Sequence, residues 1–586
     1  MSREHFWNRI TYLFYVIRQA HIVNELIRYS CINLIYALTW MLQTLVLQQF
    51  FDAVQEVGSG IQERRFLIVM LVAMGFSYLA YHVMDGISNC YCEVLALKMS
   101  QGLHRMLFMR VKTINAVDFE DAGRLNQIEK AKNGAMFFSG VVFTIVDILT
   151  YYVPYFIFMG WYLFTQNAIL AVSVVVAFVP TALSRLSSSF LFKDLEEKVA
   201  PLRRQADYYE KCISGREYIK ETRIWGAEEI FEKKYQVVQE KKNKLWMRAI
   251  IKQNTIQIML HIITACCYGM IIWLLFVSVM HGEITLGVFA AVLATIGNLF
   301  RFMNKMVSER LGWMTENIGS VNNFINFVIE KAEKSEYKRT PGSELVLDNV
   351  SFCYPQAEEQ AISGIHLRIK DGETIALVGE NGSGKTTLAR VLAGLYEPTE
   401  GRIEYGGKLL KEYSPEGISA VFQKFNRYHM TLRDNLSIGS QLISDDEKLR
   451  AIGKEVDLSF EELQDNIGLN SMLGREFGGT DVSGGQWQRI AIGRGRYRDH
   501  NMIILDEPTA SIDPMEESEI YKKFAQSCEG KTVILITHRL GAVKLADRII
   551  LLSKGKIVED GTWKNLMETG GLFKEMYEEQ QQWYRG

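Results

Sequence analysis

Six apolar runs dominate the first half of this chain, near residues 31–51, 66–87, 136–164, 168–186, 255–280 and 284–306. Each is long enough to cross a bilayer as a helix, which takes about 20 residues. Buried helices of a water-soluble protein can also be apolar all round, but six of them, separated by alternately short and long polar stretches, fit a membrane bundle better. The third and fourth runs form one almost continuous stretch, split by Thr165, Gln166 and Asn167 as a tight polar turn. Segments 88–135 and 187–254 are long, helical in pattern and rich in Lys and Arg, whereas the other connections are short. Positive charge near span ends favours the cytoplasm, so Arg3, Arg9, Arg18 and Arg28 place the N-terminus inside, and both long loops fall on that side.

The mean hydropathy of +0.00 therefore averages two unlike halves of a chain of 586 residues. Residues 5–20 mix aromatics with Arg and suit a helix lying in the headgroup region. They do not read as a secretory signal, because the apolar run that follows is too long and lacks a small-residue cleavage site. The eight cysteines fall in spans or on the cytoplasmic side and imply no disulfide framework. A net charge of −2 without a separate basic block argues against a nucleic-acid partner.

The last third carries ordered motifs. Residues 379–387 read GENGSGKTT. In this pattern Gly379, Gly382 and Gly384, with Asn381 and Ser383, let backbone N–H groups wrap phosphates. Lys385 supplies a point charge, Thr386 a Mg²⁺ ligand, and Thr387 continues the loop into a helix whose positive end faces the anion. The apolar run 374–378 before it reads as a buried strand. A second short apolar run, 502–505, delivers Asp506 and Glu507 at its carboxyl end, where open α/β sheets place their ligands. Asp506 is then a Mg²⁺ partner and Glu507 a candidate base, held at the strand tip by Pro508.

From residue 344 onward the chain resembles the nucleotide-binding domain of an ATP-binding cassette transporter. The separating feature is SGGQ, here Ser483, Gly484, Gly485 and Gln486, opening a helix. The resemblance implies that this helix N-terminus meets ATP held by a second subunit, that Tyr354 stacks on adenine, and that Gln423 approaches Mg²⁺ and the attacking water. It also implies that Asp513 speaks across the dimer and His538 contacts the γ-phosphate. Glu507, His538 and Gln423 are thus the expected catalytic residues, Thr386, Gln423 and Asp506 the metal site, and ATP with Mg²⁺ the cofactors. The implied fold is an all-α transmembrane domain of six helices followed by an α/β P-loop domain, with boundaries at 1–28 (interfacial helix), 29–310 (membrane), 311–343 (linker) and 344–586 (ATPase).

Six spans before one cassette resemble a half-transporter of the exporter type in the cell membrane. Segments 117–131 and 214–229 resemble that family's coupling helices, the second through Glu221, Arg223 and Trp225, which would seat in a groove near Gln423. One phosphate loop and one signature cannot complete a site of this kind, so a second copy of the chain, or a related half-transporter, is required; a homodimer is the simpler expectation. For cargo the residues say less. Asp147 lies inside an apolar run and either lines a cavity or bonds a neighbouring helix; Tyr151, Tyr152, Tyr155 and His261 either line an amphipathic cavity or form interface belts or interhelical contacts. Residues 474–489 are similar to exporters of lantibiotics and other modified peptides, without a peptidase domain ahead of the first span. Val482 departs from the usual Leu, and Gly493 and Gly495 interrupt the helix at about 1 kcal/mol each relative to Ala unless close packing needs them. An amphipathic peptide is the first expectation, a lipid or drug the second, and siderophore import the third.

Overall fold

The computed structural model describes residues 3–61, 63–330, 344–409, 417–440, 445–458, 468–507, 530–537 and 543–585; Asp513, His538 and Pro508 lie outside them. The chain forms two compact units, Met1–Lys112 with Gln127–Glu330, and Thr113–Asn126 with Lys331–Gly586.

The first unit is helical throughout. α1 (Arg3–Gln19) ends where His21 takes a left-handed φ of 57°, and α2 (Val23–Gly58) begins directly after it. The first long helix therefore starts earlier than the apolar run at residue 31. Its polar first turns are held by side chains of the next helix, with Glu25 accepting from Lys98 at 2.8 Å. α3 (Arg64–Val111), α6 (Ala168–Ser214) and α8 (Glu228–Met280) have 48, 47 and 53 residues. At about 1.5 Å per residue each far exceeds a hydrocarbon core of about 30 Å, so the polar loops of the sequence are continuations of the same rods.

Between these lie α4 (Ala122–Asp147), a π-helical turn (Ile148–Tyr152), α5 (Val153–Gln166), the short α7 (Ile219–Ile224) and α9 (Leu286–Asn304), which passes through a second π-helical turn (Lys305–Leu311) into α10 (Gly312–Ile329). Among the described residues five helices are long and apolar enough to span a membrane, and the remaining apolar run appears as a shorter segment, Ala168–Pro180, at the start of α6. The polar break at 165–167 is as expected. α5 ends at Gln166, and Asn167 caps α6 by accepting from the Ile169 N–H at 2.9 Å.

The expected linker from residue 311 is different in its first part. α10 continues the rod because Val321, Phe324 and Ile325 recur at helical spacing and are buried. Its backbone comes so near α4 that a Cβ on Gly134 would sit 2.1 Å from the Ser320 carbonyl oxygen. That closeness, with Phe138 and Phe324 edge to face at 5.8 Å, fixes α10 on the bundle.

The second unit is built on two sheets. An antiparallel sheet is ordered β2 (Gln360–Ile369), β1 (Leu345–Cys353), β4 (Glu400–Tyr405), β5 (Lys408–Leu409). The larger sheet runs β10 (Lys556–Gly561), β9 (Arg548–Ser553), β3 (Thr374–Val378), β8 (Thr532–Ile536), β7 (Met502–Asp506), β6 (Ile418–Val421), parallel except for its β10 edge. β3, β7 and β8 are continuous Val/Ile/Leu runs and almost wholly buried, as strands covered on both faces must be. Leu377 and Asp506 both pair with Ile536, so the carboxyl ends of β3, β8 and β7 finish level. The site is built on that edge.

Candidate active site

β3 runs into the phosphate loop and then into α11 (Lys385–Leu392). Two glycines here have no substitute. Gly379 has φ 147° and a Cβ there would lie 2.1 Å from the Leu552 carbonyl oxygen; Gly384 has φ 100° and would strike Ala361 O at 2.6 Å. The loop is thus wrapped by its own sheet, and within it the Ser383 N–H donates to Glu380 O at 3.2 Å. Lys385 is buried and its Nζ donates to the carbonyls of Gly379 and Glu380 at 2.9 and 2.8 Å. Burial draws its pKa down, while the charges of Glu507 and Asp506 pull the other way.

Asp506 is 1% exposed at the tip of β7. Burial pushes its pKa up, against a lowering by the Thr386 hydroxyl. Its Oδ2 and the Ser383 Oγ are buried without a hydrogen-bond partner among the described residues. Such orphaned oxygens beside a phosphate loop fit a hard cation, and the oxygens of Asp506, Thr386 and Gln423 are the donors Mg²⁺ prefers. Glu507 follows with φ 46°, an uncommon left-handed conformation for a side chain of its size, fixed by its N–H donating to Ile536 O at 2.9 Å. Gln423, two residues beyond β6, donates from Nε2 to Glu507 Oε2 at 2.7 Å. The structure therefore brings Lys385, Asp506, Glu507 and Gln423 together. Tyr354 joins them at the other end of the loop, its hydroxyl 3.0 Å from Thr387 Oγ1.

After α12 (Leu432–Ser437) and α13 (Asp446–Glu455), the signature opens α14 (Gly484–Tyr497) with a complete capping box: Gln486 N–H donates to Ser483 Oγ at 3.2 Å, and Ser483 N–H donates to Gln486 Oε1 at 2.8 Å. Ser483 and Gly484 are exposed, whereas Val482 and Trp487 anchor the turn in a core cluster separate from the one beneath the phosphate loop. Val482 is buried and apolar, the property a Leu would supply there. α14 is continuous through Gly493 and Gly495, which close packing requires: a Cβ would lie 2.7 Å from Leu436 Cδ2 at the first and 2.8 Å from Val421 Cγ2 at the second.

Between them Arg494 spans the unit. Its Nη1 donates to Asn426 O at 2.7 Å, its Nε to Asn435 O at 3.1 Å, and it lies 4.8 Å over the Tyr428 ring. It thereby ties the signature helix to the segment after Gln423. Sequence reasoning missed Arg494, although an Arg set between two glycines on a buried helix face was a visible signal. Beside that segment lies a groove of 250 Å³ lined in part by Phe422, Phe425, Tyr428 and Arg498.

In the helical unit, Asp147 is 7% exposed. It accepts from Tyr29 Oη at 2.8 Å and Asn33 Nδ2 at 2.9 Å and pairs with Arg310 at 3.4 Å, while Ser88 donates to Asn33 at 2.7 Å. Four helical segments meet there, two of them at π-helical turns, which often mark functional positions. Tyr151, Tyr152 and Tyr155 are buried in an aromatic cluster with Trp40 and Phe302. His261 differs. It lines a groove of 380 Å³ with Tyr268, Phe300, Arg301 and Asn304. Of the second coupling segment, Trp225 is 79% exposed after α7, and Arg223 pairs with Glu228 at 3.5 Å.

Residues 362–510 match the ABC transporter family, and residues 27–303 match the ABC transporter transmembrane region. The chain belongs to the ABC transporters: a multi-pass membrane protein with a cytoplasmic ATPase domain that hydrolyses ATP. It is 27% identical over 527 residues to the subtilin transport ATP-binding protein SpaT of Bacillus subtilis, covering 87% of this chain and 85% of that protein. It is also 33% identical over 322 residues to the ATP-dependent lipid A-core flippase of Chromobacterium violaceum, covering 53% and 54%. Its fold is similar to that of a bacterial Atm1-family ABC exporter with ATP bound, with a TM-score of 0.78 at 20% identity over 95% of this chain and 99% of the other.

Proposed function

We propose that two copies of this chain form a homodimer that exports an amphipathic peptide, closing two ATP molecules between facing cassettes. The observation that carries the dimer is the exposed N-terminus of α14. Its capped turn offers N–H groups and the positive end of a helix at the surface of its own unit, a ready anion seat. In a head-to-tail pair each signature meets the γ-phosphate on the partner's loop, and Asp513 and His538 act at the same interface. Asp506, Thr386 and Gln423 would hold Mg²⁺, which would supply charge neutralisation during phosphoryl transfer. Lys385 and the loop N–H groups hold the nucleotide, Gln423 orients Glu507, and Glu507 polarises the attacking water. Glu507→Gln is expected to bind ATP while losing turnover by a factor of about 10² or more, as loss of a general base does. ATP hydrolysis by the purified variant at the parent rate would remove Glu507 from this role.

Closure reaches the membrane half through the loop segments 116–120 and 219–225, the second of which carries Ile224 and Trp225 exposed in their own unit. Support for a peptide cargo comes from the subtilin transporter, whose similarity covers 87% of this chain and so includes the membrane half, where cargo is selected; similarity to lipid A-core flippases covers 53% of this chain for one relative and 75% for another. The groove at His261 and Arg301 is the proposed cargo contact. Inverted vesicles carrying the chain should accumulate an amphipathic peptide on ATP addition. Accumulation of a labelled lipid instead would replace the peptide reading.

A further inference from the structure

The 3₁₀ turn Ala116–Glu120, between α3 and α4, belongs to the same compact unit as the nucleotide-binding domain. Val117 packs against that domain's core, and Gln356 Nε2 donates to Asp121 Oδ1 at 2.7 Å. Glu120 does more than dock. Its Oε1 accepts from Tyr396 Oη at 2.7 Å and from Arg390 Nη1 at 3.3 Å. Arg390, one turn into α11 from Thr387, also reaches Tyr396 Oη at 2.8 Å and Tyr354 Oη at 3.5 Å. The Tyr354 hydroxyl in turn meets Thr387 Oγ1 at 3.0 Å, and its ring stands edge-on to Phe352 and Tyr396 at 5.2 and 5.9 Å.

An unbroken polar path therefore runs from a loop between two long membrane-unit helices to the tip of the aromatic ring expected to carry the base of ATP. The Glu120–Arg390 pair is part-exposed on both sides, so its worth as a stabilising ion pair is small. Its geometric effect is not small. Among the described residues the far end of the Tyr354 ring, a two-torsion side chain, is fixed by Thr387 and Arg390, and Arg390 is held in place by Glu120 and Tyr396.

We infer that Glu120 and Arg390 are positioning residues for adenine: they pin Tyr354 in its stacking orientation, so that ATP affinity depends on the first cytoplasmic loop being seated. The inference rests on the reading of Tyr354 as the adenine platform. Withdrawal of the loop releases Arg390, the ring swings, and nucleotide is held less tightly; by reciprocity, bound ATP favours the seated loop.

The test uses the full chain in lipid nanodiscs, with ATPase rates measured against ATP concentration for Tyr354→Ala, Tyr354→Phe, Glu120→Gln and the double variant Glu120→Gln/Tyr354→Phe. Tyr354→Ala should raise KM at least about fivefold, the loss of one stacked ring. Glu120→Gln should raise KM about threefold with kcat within about twofold, since the interaction removed serves binding rather than the transition state. Because both substitutions break the same path, the double variant should show no more than the larger single effect. A Glu120→Gln chain with unchanged KM, or with a fall in kcat alone, reduces Glu120 to a docking residue and overturns the inference. Multiplying effects in the double variant overturn it equally. An unchanged KM in Tyr354→Ala instead strikes the platform reading itself.

Discussion

Gly495→Ala sets helix propensity against packing at one residue. Removing a glycine from a helix interior is favourable by about 1 kcal/mol, and the added methyl brings about 0.8 kcal/mol of burial if it fits. It does not fit. The new carbon would lie 2.8 Å from Val421 Cγ2 and 3.4 Å from Ser419 Oγ, where carbon atoms rest at about 3.5–4.0 Å. Val421 is 3% exposed in β6 and paired with Leu505 of β7, so it has no room to retreat. Ser419 is further tied by its hydroxyl to Gly495 O at 2.8 Å. Overpacking of this kind costs about 1–3 kcal/mol, and with the rigid strand on the far side the upper part of that range applies, leaving a net loss of about 1 kcal/mol. In a domain of this size that lowers the unfolding temperature by about 2–4 °C.

The same strain displaces β6 two residues before Gln423, so ATPase activity should fall as well. Gly493→Ala is the internal comparison, because its methyl meets Leu436 Cδ2, the free end of a side chain that can turn aside. Scanning fluorimetry of the detergent-purified chains at one scan rate, with ATPase rates alongside, reads both effects. A Gly495→Ala chain that unfolds at a higher temperature than the parent would show that propensity outweighs packing and refute the reasoning.

His500 predicts a pH effect. It is buried, with Nδ1 on Arg498 O at 2.6 Å, and burial pulls its pKa down to about 4 from 6.5. The unfolded chain therefore binds more protons, so the stability His500 contributes is present above about pH 6.5 and is lost as pH falls toward 4, up to a few kcal/mol; His500→Gln should flatten that slope in unfolding measured between pH 4 and 7. Asp147→Asn leaves Arg310, whose side chain is 38% exposed, facing a neutral group in the helical unit and should destabilise it by about 1 kcal/mol, the upper worth of a part-exposed pair, read as a lower detergent unfolding temperature; unchanged stability would mean that the contacts of Asp147 with Tyr29, Asn33 and Arg310 do not hold the bundle.

The phosphate loop, the strand-tip carboxylates and the signature were legible because each is local: a few consecutive residues fix both conformation and chemistry. The same holds for the apolar runs and the turn at Asn167. What the sequence left open depends on partners far along the chain. Asp147 had two readings until Tyr29 and Asn33 from one segment and Arg310 from another came to meet it. Gly493 and Gly495 read as weak points of a helix because their neighbours, Leu436 and Val421, lie elsewhere in the chain. α10 read as linker because its apolar spacing is modest, and only the closeness of Gly134 to Ser320 makes it part of the bundle. Arg390 carried no motif, and Arg494 only its place between Gly493 and Gly495.

The central claim is that each nucleotide site is shared between two copies, and complementation tests it directly. A chain carrying Lys385→Ala loses its phosphate loop, and a chain carrying Ser483→Arg blocks its signature; each should be inactive alone. Co-expressed with different tags and isolated as mixed dimers, they contain one site with both defects and one with neither, so ATPase activity should return to about half the parent rate per dimer. Mixed dimers as inactive as either variant alone would contradict the shared site.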